Sequence, residues 1–239
     1  KTSQEESQFA FKPQQDKMAI FNALATRALE QKPSKFYEHA QEYFTGELGY
    51  DEWSSLGFQG LADVAANLDS DDNMQQVTQA IPAMPEQPLN MFSQLLEHTN
   101  PDTQLSQALL DRMKSELNEE SETPPNTPLI ASLARGLSAS EQLRDDSIQL
   151  LLESSLSTDI EILALIASRA WTTLKNPALL KSYLEALAQQ EQQGFDVILM
   201  ELLPIPDMRD VLLTGLRDSD RSVALTARIG GFMQRFQAD

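Results

Sequence analysis

The sequence predicts an all-α fold, an irregular α-solenoid or stack of helical hairpins, with a compact multi-helix bundle as the architectural alternative. Three observations lead there. Apolar residues recur at three- and four-residue spacings from end to end, and no sustained alternation of period two competes with them. Short breaks rich in Asn, Asp, Ser and Pro separate the apolar segments, and each carries the chemistry of a helix start. Markers at Ser70, Asn100, Ala139, Asn176 and Ser219 lie 30, 39, 37 and 43 residues apart, the interval of stacked helix pairs.

In chain order, residues 1–12 read as a flexible or extended segment, and residues 13–239 as one helical domain. Pro13 opens the first helix near its first position, where a missing N–H costs nothing. Met18, Phe21, Leu24, Ala25 and Ala28 form that helix's apolar face. Gly46-Glu47-Leu48-Gly49 and Gly57-Phe58-Gln59-Gly60 mark helix ends, since glycine accepts the left-handed backbone found there. Leu105, Leu109, Met113 and Leu117 make a second clear stripe. The acidic, proline-bearing stretch 118–128 interrupts the periodicity as a loop, or as a hinge between helical halves. Ile160 to Leu174 is apolar nearly all round, Trp171 included, and reads as a single central helix. Leu180, Tyr183, Leu184 and Leu187 follow, then Leu225, Ile229, Phe232, Met233 and Phe236. About a dozen helices result. The breaks at Asp69-Ser70-Asp71-Asp72, Asn100-Pro101, Ser138-Ala139-Ser140, Asn176-Pro177 and Asp218-Ser219-Asp220 each offer an oxygen to the open N–H groups of the next helix.

Two resemblances bear on this reading. Val211 to Ala227 resembles a HEAT-type repeat, with an apolar helix, an Asp-containing turn and a Val opening the second helix; Ala224 stands where a basic residue is usual. Leu61 to Asp72 is the next best fit. Separately, Phe9-Ala10-Phe11-Lys12-Pro13 and Leu56-Gly57-Phe58-Gln59-Gly60-Leu61-Ala62-Asp63 resemble an uncharacterised bacterial family of unknown function. That resemblance implies a helical protein with a further amino-terminal segment, so the first residue reads as a processed end or as the edge of a longer protein. It transfers no activity and no site residue.

Composition excludes several functions. The chain has 239 residues, 36 acidic and 18 basic side chains, and no cysteine. Disulfides, thiolate chemistry and cysteine-held metals are ruled out. A net charge of −18 disfavours nucleic acid and anionic membrane surfaces, whose binding depends on Lys and Arg. No apolar run approaches the length of a membrane span, and a cytoplasmic location is expected. Residues 1–125 carry −13 and residues 126–239 carry −5. Between Lys35 and Arg112 there are thirteen acids and no Lys or Arg, so these carboxylates either face water or await a cationic partner.

Candidate site residues fall in that interval. Seven of the sixteen aromatic residues lie between Phe36 and Phe58. Phe36, Tyr37, Tyr43 and Phe44 suit core packing, whereas Tyr50 and Trp53, beside Asp51, are candidates for exposed contact with a cationic or amphipathic ligand. Asp69, Asp71 and Asp72 extend the candidate face. Asp69 to Asn73 also opens like a calcium loop, but Met74 replaces the turn glycine and Ala80 the closing glutamate, so helix capping is the simpler role. His39 and His98 form no zinc motif, and neither a nucleophile elbow nor a phosphate loop is present. The expectation is a non-catalytic domain, without cofactor or metal, that binds a protein or peptide partner of basic character. The alternative is an enzyme, or an enzyme-associated substrate domain, using carboxylates in an acidic cleft.

Overall fold

The computed structural model describes residues 14–118, 124–141 and 143–236. Pro13, the segment 1–12 and the side chain of Phe236 lie outside the described residues. Among those described, the chain forms thirteen α-helices and two 3-10 helices, with no strand. It divides into two compact units between Thr99 and Asn100. No helix among the described residues is long and apolar enough to cross a membrane.

The first unit holds α1 (Gln15–Ala28), α2 (Tyr37–Thr45), a 3-10 helix (Tyr50–Ser55), α3 (Phe58–Ala66), α4 (Asn73–Ala80) and α5 (Glu86–Leu96). The centre is α3, buried continuously from Gly60 to Ala66 and packed on α1, α2 and α5. Its small residues let neighbours come close. A Cβ on Gly60 would stand 2.7 Å from the carbonyl oxygen of Phe36, so Gly60 is a packing glycine inside the helix, not a helix end. Gly46, with φ of 77°, does end α2. The rings of Tyr43, Phe44 and Phe92 stack through the remaining core, with centroids 5.6 and 4.8 Å apart.

The first helix turns a different face inward from the one its bulk suggests. Ala19, Ile20 and Ala23 are buried, while Met18 and Phe21 are 44% and 66% exposed. The reason is the closeness of α1 to α3. The buried residues of both helices are mostly small, Ala19 and Ala23 on α1 and Gly60, Ala62, Ala65 and Ala66 on α3, and Gln59 and Arg27 tie the two helices by donating to the Ala19 and Ala66 carbonyls.

The second unit holds α6 (Thr103–Glu116), α7 (Thr127–Ser138), α8 (Arg144–Glu153), α9 (Ile160–Arg169), a 3-10 helix (Trp171–Lys175), α10 (Pro177–Leu187), α11 (Gln192–Leu202), α12 (Met208–Leu216) and α13 (Val223–Phe236). The stripes at Leu105, Leu109, Met113 and Leu117 and at Leu180, Tyr183, Leu184 and Leu187 are buried as the periodicity predicts. In the last helix Leu225 and Phe232 are buried, but Met233 is exposed. Ile160 to Leu174 is not one helix. It breaks at Ala170 (φ −123°, ψ 22°) and continues as a 3-10 helix to Lys175, which ends where Pro177 holds Asn176 in extended backbone. Tyr183 then ties α10 to α9, its hydroxyl donating to the Leu163 carbonyl at 3.0 Å.

Helices two apart in sequence pack together in both units: α1 with α3, α2 with α4 and α3 with α5, then α7 with α9 and so on to α11 with α13. Both a stack of helical hairpins and a multi-helix bundle fit that ladder. The stretch 118–128 lies inside the second unit, joining α6 to α7, which pack on each other; residues 119–123 are outside those described.

Start signals work unevenly. Asn176 caps α10 as expected, accepting from the Ala178 N–H at 3.0 Å. Asp102 rather than Asn100 caps α6, and Ser222 rather than Asp218, Ser219 or Asp220 accepts from the Leu225 N–H near the start of α13. Asp72 precedes α4 without capping it.

Candidate functional site

The six candidate residues separate into two places. Asp69, Asp71 and Asp72 sit just past the carboxyl end of α3, all exposed, and the first two are engaged by other side chains. Asp69 pairs with Arg27 at 2.6 Å, and Asp71 accepts the Tyr37 hydroxyl at 3.3 Å. Asp71 and Asp72 both adopt left-handed backbone, with φ of 52° and 59°. Behind them buried Asn73 donates to the Tyr37 oxygen and to the Asn67 carbonyl, each at 2.7 Å. Burial first, and the nearby Asp71 carboxylate after it, push the Tyr37 hydroxyl above its ordinary pKa despite the opposing Asn73 hydrogen bond. Helix capping is therefore not what this loop does. It closes the unit against α1 and α2.

The expectation that these acids face water or await a partner leaves out neutral donors and a cation from earlier in the chain: Asp51, Glu52 and Asp72 do face solvent, but Asp69 and Asp71 have partners within the unit and Asp63 is buried. Asp63 is almost fully buried, accepting from the Ser34 N–H at 3.1 Å and from Gln59 Nε2 at 2.9 Å. The charge asymmetry between halves disappears at the structural boundary as well. Residues 1–99 carry fifteen acids and six bases, residues 100–239 twenty-one and twelve, and each unit is at −9.

At the opposite end of α3, Tyr50 is half-buried and partly structural. Its ring meets Tyr43 edge-on at 5.6 Å, and its carbonyl accepts the Tyr43 hydroxyl at 3.1 Å. Burial raises the pKa of both phenols. Asp51 and Glu52 face solvent. Trp53 is half-buried and lines an open groove of about 580 Å³ with Met18, Leu56, Phe58 and Met91. Every residue of that lining is uncharged. Sequence reasoning found Trp53 but missed the four apolar partners. Met18 falls on the face read as core, Leu56 and Phe58 follow Trp53 within five residues but carry no pattern that marks them as groove walls, and Met91 comes from α5.

A larger groove of about 740 Å³ lies between α10, α12 and α13 and was not anticipated. Leu180, Leu184, Val211 and Leu225 floor it, and charges of both signs surround them. Several of these charges are held by neighbouring groups. Lys181 lies 2.6 Å from Asp220 and 3.9 Å from Asp218; its hydrogen bond holds the Asp220 carboxyl below the usual range and raises its own pKa. Arg221 donates to the Leu216 carbonyl at 2.7 Å, and Glu185 accepts the Ser222 N–H at 2.9 Å. Among the described residues no three His, Asp or Glu side chains converge on a metal position. His39 instead meets Ser55 Oγ at 2.8 Å.

No curated protein and no solved structure matches the chain. A family model described as a protein of unknown function (DUF3549) matches residues 1–233, nearly the whole length, and the chain belongs to that family.

Proposed function

We propose that the chain is a non-catalytic helical interaction protein, built as a HEAT-like stack, whose first unit receives a protein or peptide segment bearing apolar and basic side chains. The observation that carries this reading is the uncharged groove around Trp53, set in a stretch, residues 36–99, without a single Lys or Arg. Apolar burial supplies the attraction, and an amphipathic aromatic at the groove wall suits an interface anchor. Asp51 and Glu52 beside it select for positive charge, with Asp69, Asp71 and Asp72 adding to the field from the far end of α3. The chemistry of the larger groove favours no enzyme reading, since Glu185 and Asp218 are already held by Ser222 and Lys181.

The test uses the Trp171→Phe protein, in which Trp53 is the remaining indole. A short peptide of alternating Lys and Leu should quench or shift Trp53 emission, with affinity falling as salt rises. Trp53→Ala, followed by calorimetry, should weaken binding by about tenfold or more. Binding that ignores both salt and Trp53→Ala sinks the proposal.

A further inference from the structure

We propose that Ser55 is an acylation site, a covalent chemistry beyond the interaction reading above, in which His39 activates the hydroxyl and the uncharged groove beside it takes the acyl chain of a neutral ester. Ser55 Oγ lies 2.8 Å from His39 Nε2, and on the other side of the ring His39 Nδ1 lies 3.7 Å from Glu42 Oε2. The order is nucleophile, imidazole, carboxylate, with the acid favouring the proton on Nδ1 so that Nε2 accepts the one on Ser55. His39 and Glu42 share a face of α2 through their three-residue spacing, and Ser55 closes the 3-10 helix that packs against α2. The Glu52 carbonyl, at 3.2 Å, is the longer of the two acceptors open to the Ser55 hydroxyl.

The surroundings supply the other requirements of acyl transfer. Trp53, Leu56, Gly57 and Phe58 line the groove, and Ser55 stands between the first two in the chain, within one or two residue steps of about 3.8 Å. Gly57 precedes α3 with no side chain to cap it, and an added Cβ there meets nothing within 4 Å. The open N–H groups of the first turn of α3 thus begin three residues after Ser55, with room beside them for an ester oxygen that gains charge. No lining residue carries a cation to pair with a carboxylate or phosphate, and Glu42 and Glu52 stand beside the His39–Ser55 pair, so the substrate is neutral. In the step itself Ser55 Oγ bonds to the acyl carbon while its proton passes to His39 Nε2. The ester C–O bond then breaks and the departing alcohol oxygen takes that proton, leaving an acyl-Ser55 ester and the imidazole as it began.

The full chain, treated with p-nitrophenyl hexanoate, should release nitrophenol in a burst of about one equivalent, and peptide mass spectrometry should find the hexanoyl group on Ser55. Ser55→Ala should lose both signals, and His39→Gln should slow the burst about a hundredfold or more. Neither side chain is buried, so both variants should keep the parent Tm. Trp53→Ala should remove the advantage of the hexanoyl over the acetyl ester, since the longer chain then loses its wall. A burst that survives in Ser55→Ala but not in His39→Gln makes the imidazole itself the nucleophile and overturns the proposal. Hexanoyl found only on lysines, a His39→Gln burst as fast as the parent's, or no burst at all overturns it too. The interaction reading is tested apart, because Ser55→Ala keeps the Trp53 groove and should still bind the Lys and Leu peptide.

Discussion

The two units begin their helices differently. Among the described residues of the first unit, no α-helix receives a hydrogen bond from its N-cap side chain. In the second, Asp102, Asn126, Asp159 and Asn176 all accept from the first turn of the helix they precede, and Ser222 does the same for α13. The first unit instead sends its polar groups across the fold: Arg27 to Asp69, Ser34 to Asp63, Asn73 to Tyr37. Five helices of the second unit thus carry their own start signals, whereas α8, α11 and α12 do not, and ties between distant residues, such as Lys181 to Asp220 and Gln192 to the Arg228 carbonyl, hold the second unit as well as the first. The grooves differ too, one lined by uncharged residues alone and the other bearing charges of both signs.

Alkaline pH gives the largest test of that contrast, because three of the four tyrosines lie in the first unit. A phenol titrates near 10 when unfolded, and burial raises Tyr37, Tyr43, Tyr50 and Tyr183 above that value in the fold. The folded chain then keeps protons that the unfolded chain releases. Stability from these groups is complete below the unfolded pKa and declines as pH climbs from there through the folded values. One indole per unit allows separate readings, Trp53 in the Trp171→Phe protein and Trp171 in the Trp53→Phe protein. Both denaturation midpoints should drop between about pH 9 and 11. Tyr183→Phe should flatten the response of the second unit and leave the first sloping. A slope that Tyr183→Phe does not reduce contradicts the assignment, and what remains after it belongs to Lys181, whose pKa the Asp220 hydrogen bond raises.

Packing variants sharpen the comparison at smaller scale. Leu184 is 1% exposed beneath the larger groove, and Leu184→Ala should cost about 2–5 kcal/mol in the Trp171-reported transition. Gly60→Ala forces a methyl to 2.7 Å from a backbone oxygen and should cost about 1–3 kcal/mol in the Trp53-reported one. Gly57, where an added Cβ meets nothing within 4 Å, is the matched control. If Gly60→Ala is as harmless as Gly57→Ala, α3 is not the tightly packed centre described above.

Much of the second unit was legible because its signals are local. Leu105 to Leu117 and Leu180 to Leu187 bury the stripe their spacing predicts, and Asn176-Pro177 starts the helix it should. Where the reading failed, the deciding interaction was distant. Periodicity finds an apolar face on α1 but does not say which of two faces meets the core; the alanines of α3 decide that. Asp69 to Asp72 look like a cap until Arg27 and Tyr37 arrive from about forty and thirty-four residues earlier. The candidate site was half visible for the same reason. Trp53 stands out beside Asp51 and Glu52, but Met18 and Met91 join it only in three dimensions.

The finest contrast is between two residues that look alike in sequence. Asn176 and Asp72 both precede a helix, yet only Asn176 hydrogen-bonds into it. Asn176→Ala should therefore cost about 1 kcal/mol in the second unit. Asp72 makes no cap bond and sits at φ of 59°, a conformation that glycine adopts without penalty. Asp72→Gly should accordingly leave the first unit unchanged or stabilise it by about 0.5 kcal/mol, the scale of relieved left-handed strain after the added unfolded-state freedom of glycine is set against it. Chemical denaturation of both variants beside the parent decides the matter. A loss at Asp72→Gly equal to that at Asn176→Ala makes Asp72 a working cap and erases the distinction between the two units.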